Sequence, residues 1–228
     1  MLLAVDTATH MASLALYDQA RGLVLGEESW YSASNHTVEL MPRLARLLEG
    51  QSVTPADLTG LAVSLGPGSF TGVRIGLGVV KGLALARGLP LVGVPTLDVV
   101  AYPHMARGLP ICAILQAGRG RICAGRYTRH RGRWRRHGEY QLTTLEELCE
   151  QVESGPAGSI LFCGEIDARD GDRIRQRLGS EVIIATPATS LRRAAYLAEL
   201  GWERLSRGDS DDASTLSPVY LHHPPIDG

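Results

Sequence analysis

The chain of 228 residues carries a formal net charge of −1, with 44% hydrophobic and 21% charged residues. That is enough apolar material for one large domain or two small packed lobes. The near-neutral charge and mean hydropathy close to zero exclude a bulk pull toward nucleic acid or membrane, so any RNA contact has to come from a local patch or a partner.

Met1–Asp6 reads as a strand, Met11–Asp18 as a second and Leu23–Tyr31 as a third, joined by short polar connections. The opening has no basic n-region and no run of eighteen apolar residues occurs, so a cytoplasmic chain without secretory signal or membrane span is expected. A helix follows the capping residues Ser34 and Asn35, with Leu40, Met41, Leu44, Leu47 and Leu48 on one stripe and Gly50 as its stop. Pro42 either kinks its first turns or marks the first helical position. Thr54-Pro55 starts a short helix, Leu61–Leu65 is a strand, a helix runs from about Thr71 to Arg87 and ends at Gly88, and Leu91–Val94 is one more strand. This order is half of a ribonuclease-H-like or actin-like α/β unit.

After a linker near Tyr102–Leu109 the order repeats. Strands fall at Ile111–Gln116, Ile122–Arg129 and Trp134–Leu142, a helix near Leu145–Val152, a strand at Ile160–Cys163, a helix near Arg173–Leu178, a strand at Val182–Ile184 and a last helix at Leu191–Leu205. Gly208-Asp209-Ser210-Asp211-Asp212 reads as a polar loop before the tail. The expected fold is α/β, two lobes of duplicated βββαβα order with the second degenerate, divided as residues 1–103 and 104–228.

Gly66-Pro67-Gly68-Ser69-Phe70-Thr71-Gly72-Val73-Arg74-Ile75-Gly76 joins a strand directly to a helix. Glycines there permit positive φ and close backbone approach, and Ser69 or Thr71 can accept from the first free helix N–H groups. The string therefore suits an anion, a partner's backbone, or a tight turn and nothing more. It lacks the Lys of a P-loop and the spacing of a dinucleotide site, and Ser69 is not the centre of G-x-S-x-G. Cys112, Cys123, Cys149 and Cys163 are irregularly spaced in apolar segments and read as reduced core thiols. His10, His104, His130, His137, His222 and His223 show no ligand spacing beyond an adjacent tail pair whose side chains would point apart. Arg129, Arg131, Arg133, Arg135 and Arg136 form the dense basic cluster, with Gly132 as a hairpin turn; it is either a solvated hairpin or a phosphate-contacting patch.

The glycine string, the opening Asp6-Thr7-Ala8-Thr9, the helix beginning at His36 with Leu40-Met41-Pro42, Val94-Pro95-Thr96-Leu97 and Ser217-Pro218-Val219-Tyr220-Leu221 together closely resemble the TsaB (YeaZ-like) family over most of the chain. The resemblance implies a two-lobed α/β protein of the actin, Hsp70 and sugar-kinase (ASKHA) superfamily. It also implies a subunit that is not an enzyme on its own but binds and stabilises TsaD, which forms threonylcarbamoyladenosine on tRNA beside the anticodon. TsaE, ATP and tRNA then belong to the complex, and this chain is expected to hold no cofactor or metal itself.

In active members of that superfamily an Asp-Thr or Asp-Gly hairpin holds phosphate and metal, which makes Asp6, Thr7 and Thr9 candidates for a cofactor contact; a turn carboxylate that satisfies local N–H groups explains the same residues equally well. Gln116 and Gly118 depart from the Asp-Ala-Arg of the family pattern and remove a carboxylate and an arginine. TsaD carries a His-x-x-x-His metal pair; here Leu40 follows His36 at the second place. The expected docking surface is His36, Leu40, Met41, Leu44 and Leu47 with Val73, Gly76, Leu77, Val80 and Leu83, shared by a homodimer when TsaD is missing. Arg131, Arg133 and Arg135 are the expected tRNA contacts. The alternative, from fold alone, is a small-molecule kinase or ATPase.

Overall fold

Strands β1 (Leu2–Asp6), β2 (Met11–Asp18) and β3 (Leu23–Tyr31) form an antiparallel meander, as expected. The computed structural model describes residues 1–33 and 35–221, so Ser34, His222 and His223 lie outside the described residues. Helix α1 (His36–Gly50) follows, then a 3₁₀ turn at Pro55–Asp57, β4 (Gly60–Ser64), α2 (Phe70–Arg87) and β5 (Leu91–Val94). The sheet order is β3-β2-β1-β4-β5, with β4 and β5 parallel to β1.

β1 is apolar at every position up to Asp6 and wholly buried, the signature of a strand covered on both faces. Leu3 and Val5 pack under α1 and α2 with Leu40, Leu44, Leu77 and Val80. Leu2 and Ala4 pack on the other face with Ala194, Leu197 and Ala198. Pro42 neither starts nor ends α1: it sits inside the helix on the exposed side, where its missing N–H leaves a carbonyl to solvent.

After α3 (Thr96–Ala101) the expected linker is a 3₁₀ helix, Tyr102–Arg107, with His104 buried. β6 (Ile111–Gly118), β7 (Arg121–His130) and β8 (Arg133–Arg136) form a second meander, followed by β9 (Gln141–Thr143), α4 (Leu145–Glu153), β10 (Ile160–Gly164), α5 (Ala168–Leu178), β11 (Val182–Ile184) and α6 (Ala194–Leu205). This sheet runs β11-β10-β6-β7-β8 with β9 also on β7, and β10 and β11 are parallel to β6. Its order matches that of the first sheet strand for strand, so the duplication is real although no sequence identity betrays it.

Four expectations need correction. The single strand at Trp134–Leu142 is two, because Gly138 at φ +73 turns the chain between them. α5 begins earlier than Arg173, since Asp167 caps it by accepting from the Asp170 N–H at 2.7 Å. The stretch 208–212 is more than a solvent loop: Asp211 bridges to Leu91, and its carboxylate accepts from the Gly93 N–H at 2.7 Å, covering the β5 edge.

The fourth concerns the domain division. The compact units are residues 1–99 with 192–219, and residues 100–191 with Tyr220 and Leu221. α6 belongs to the first unit because its small, apolar face fits flat on β1 and β4; a Cβ on Gly201 would stand 2.6 Å from that of Ala62. Leu197, the fully buried leucine of that helix, contributes about 1.5–3 kcal/mol to keeping it there.

Candidate functional site

The glycine string closes over the chain's own first turn. The Ser69 N–H donates to the Ala8 carbonyl at 2.6 Å, and Thr7 Oγ1 donates to the Gly72 carbonyl at 2.7 Å. A Cβ on Gly68 would lie 2.1 Å from the Ala8 oxygen, one on Gly72 2.2 Å from the Thr7 oxygen and one on Gly76 2.3 Å from Thr7 Oγ1. Close approach is therefore what these glycines provide, and the backbone they approach is internal. Ser69 caps α2 by accepting from the Gly72 N–H at 3.2 Å, while Thr71 is exposed. The tail pins the same loop from the other side, Val219 N–H donating to the Leu65 carbonyl at 2.8 Å.

Asp6, Thr7 and Thr9 come together as the sequence implies, but each is engaged within the chain. Asp6 is fully buried; Oδ1 accepts from the Ala8 N–H (2.9 Å) and the Ser64 hydroxyl (2.8 Å), and Oδ2 accepts from Arg192 Nε (2.5 Å). Arg192 Nη2 donates further to Thr9 Oγ1 and the Met11 carbonyl. Sequence reasoning missed Arg192, which stands in a stretch read as helix; α6 starts at Ala194 instead, leaving 192 free to reach inward. Beside it Arg193 pairs with Glu27, whose other oxygen accepts from the Ala195 N–H and so caps α6.

In the second unit, Gln116 occupies the place where the family pattern has an acid. Its backbone N–H donates to Glu165 Oε2 at 2.9 Å, and its amide nitrogen donates to the Glu165 carbonyl at 3.0 Å and to Asp170 Oδ2 at 3.2 Å. A carboxylate at 116 would face Asp170; the amide turns repulsion into a hydrogen bond. Gly118, at φ +72, ends β6 opposite Arg121, directly before the Arg119-Gly120 turn into β7. No group of three His, Cys, Asp or Glu side chains is placed to hold a metal ion among the described residues.

The face of α1 and α2 assigned to a partner is largely the face they turn to their own sheet. His36, Leu40, Leu44, Val73, Gly76, Leu77 and Val80 are buried, Leu47 and Leu83 half-buried, and Met41 is exposed. The reason is helical phase: Leu40, Leu44 and Leu48 recur every four residues against the core, so the outward apolar positions are the next ones round. Those are Val38 (71% exposed) and Met41 on α1 and Leu85 (69% exposed) on α2, while Phe70, nearly in phase with Leu77, is exposed as the first residue of α2. Gly78 and Gly82 also lie on the outer side of α2, with nothing within 4 Å of an added Cβ. Arg74 stacks its guanidinium on the Phe70 ring at 3.6 Å. Burial pushes the His36 imidazole below its ordinary pKa, and its Nδ1 has no hydrogen-bond partner.

The basic cluster is a hairpin as expected. Arg131 and Gly132, both at positive φ, make its two-residue turn between β7 and β8. The register pairs His130 with Arg133 and Thr128 with Arg135, so Arg133 and Arg135 share one face with His130, Thr128 and Arg126. Arg129, Trp134 and Arg136 occupy the other face, where Arg136 pairs with Glu139 and stacks on Tyr140. Arg131 is set apart from the other two by the turn. Among the described residues no carboxylate pairs with Arg131, Arg133 or Arg135.

Residues 30–213 match the family model described as TsaD: tRNA N6-adenosine threonylcarbamoyltransferase. The tRNA threonylcarbamoyladenosine biosynthesis protein TsaB of Escherichia coli K12 is 35% identical over 97% of this chain and 94% of its own length. TsaB of Bacillus subtilis 168 is 31% identical over 96% and 93%. The solved structure of YeaZ from Pseudomonas aeruginosa superposes with a TM-score of 0.79 at 28% identity, covering 96% of this chain and 99% of that one.

Proposed function

Since the chain belongs to the TsaB family, we propose that it serves in tRNA threonylcarbamoyladenosine biosynthesis as a partner subunit that binds and stabilises TsaD without turning over substrate itself. The observation that carries this reading is the outer face of α1 and α2. Val38, Met41, Phe70 and Leu85 put apolar area into solvent beside a helix lightened by Gly78 and Gly82. Large exposed side chains next to bare backbone make a surface into which another helix packs closely. A second copy of the chain docking through the same face gives the homodimer of our reading when TsaD is missing.

Support for the non-catalytic part comes from the engaged acids. Asp6 is paired with Arg192 and Gln116 stands in an acidic place, so neither of the two positions from which the kinase or ATPase alternative would hold a metal offers it an unpaired carboxylate. TsaE, ATP and tRNA enter through the complex, in the cytoplasm where tRNA is modified. Among the described residues no helix is long and apolar enough to cross a membrane.

The test uses Gly78→Glu and Gly82→Arg, both in open space. The variants are expected to fold as the parent does, to lose co-purification with TsaD, and to abolish the rise in modified adenosine that the parent produces. Undiminished TsaD binding by both would place the interface elsewhere. Steady ATP turnover by the isolated chain, lost in Asp6→Ala, would favour the enzyme.

A further inference from the structure

A cavity of about 610 Å³ lies in the second unit, where β6, β10 and β11 begin and α4 and α5 end. Its walls are mostly apolar, with Ile111, Val152, Ile160, Leu178 and Val182, and residues 155–159 form part of its lining. Two polar groups in it lack partners. Arg126 is half-buried and forms no ion pair among the described residues, whereas Arg177, the other guanidinium of the wall, is held by Glu150 and Glu153. Gln151 Oε1 is buried and accepts no hydrogen bond. A buried acceptor without a donor carries a cost that a ligand would remove, and the Arg126 guanidinium beside it is a half-buried cation without an ion-pair partner.

Arg126 is also the inner end of the basic face of the β7–β8 hairpin. From it Thr128 and His130 follow on β7, with Arg135 and Arg133 opposite them. Alternate residues of a strand stand about 6.6 Å apart, so this row meets an extended polyanion rather than one compact anion. We propose that this face binds single-stranded RNA: phosphates lie along Arg133, Arg135 and Arg126, and one unstacked base enters the cavity, its exocyclic N–H donating to Gln151 Oε1. The proposal rests on the reading that the hairpin contacts RNA. It adds that the contact selects unpaired nucleotides, because a base held in a duplex cannot leave the stack to reach the cavity.

The experiment measures anisotropy of a labelled eight-nucleotide RNA, single-stranded or as a blunt duplex, with the full chain and with free nucleoside monophosphates as competitors. The single strand is expected to bind at least ten-fold more tightly than the duplex. Ala157→Trp, at an exposed lining position, should weaken single-strand binding about ten-fold and leave duplex binding unchanged. Arg126→Gln should weaken it similarly, with a circular dichroism spectrum like the parent's to exclude unfolding. Equal affinity for both RNAs, or Ala157→Trp binding both as the parent does, overturns the cavity. Binding of a mononucleotide without binding of RNA overturns the RNA assignment in favour of a free nucleotide. Undiminished tRNA affinity in Arg133→Ser/Arg135→Ser overturns the hairpin reading itself, a separate failure.

Discussion

Asp6 and Arg192 are 186 residues apart and form a fully buried ion pair, Nε lying 2.5 Å from Oδ2. The pair ties the segment before α6 to the turn after β1. It also engages the carboxylate that the sequence offers as a candidate cofactor contact, and the same contact closes the first unit. Ser64 and the Ala8 N–H take the remaining acceptor positions.

Removing the cation alone leaves a carboxylate buried without its counter-charge. Arg192→Met is expected to lower the free energy of unfolding by about 3–5 kcal/mol. Asp6→Asn combined with Arg192→Met should cost less than Arg192→Met by itself, because the amide keeps the Oδ1 acceptor and sheds the charge. Urea unfolding of the parent and the two variants measures both; a double variant no more stable than Arg192→Met would show that the charges are not coupled.

Two glycines of one helix should respond in opposite directions. Gly76→Ala forces a Cβ to within 2.3 Å of Thr7 Oγ1 and is expected to destabilise by about 1–3 kcal/mol. Gly78→Ala meets nothing and removes backbone entropy from the unfolded chain, so it should stabilise by about 0.5–1 kcal/mol. Thermal melts of the pair decide this, and a Gly76→Ala protein as stable as the parent would refute the packing of the loop on its first turn.

Stability should fall in mild acid. Burial holds both His36 and His104 below the ordinary imidazole value of 6.5, with Arg107 adding to the effect on His104. The unfolded chain then binds protons that the folded chain refuses: stability is full above pH 6.5 and declines as the pH drops below it. The urea midpoint is expected to be lower at pH 5 than at pH 7, and His36→Asn/His104→Asn should flatten that slope. An unchanged slope would assign the decline to other groups.

The four cysteines should resist modification while the chain is folded. Burial pushes the Cys112 thiol up to about 12 and that of Cys123 to about 11, and raises Cys149 and Cys163 as well. Thiolate is the reactive form, so a disulfide reagent at pH 8 should titrate none of them quickly in the native protein and all four in denaturant. Fast reaction of one native thiol would contradict its burial.

How far the chain was readable without its structure follows from the range of the interactions involved. The two meanders, most of the helices and their repetition are local, written in alternation, apolar runs and capping residues, although the strand expected at Trp134–Leu142 divided in two and α3 stands where no helix was expected. The close approach demanded by Gly68, Gly72 and Gly76 was legible too, and so was the hairpin at Arg131-Gly132, since φ > 0 and a missing Cβ are properties of the residue itself. What the glycines approach was not legible: Thr7 and Ala8 fill that place because the chain folds back on itself. The same holds for Arg192 on Asp6, for α6 covering β1 and β4 rather than the second sheet, and for the outward turn of Val38 and Phe70 while Leu40 and Val80 face the core. Each depends on residues distant along the chain, 65 positions apart for Thr7 and Gly72 and 186 for Asp6 and Arg192, and no periodicity along the chain carries that information; it is set when the sheet faces choose which helices cover them.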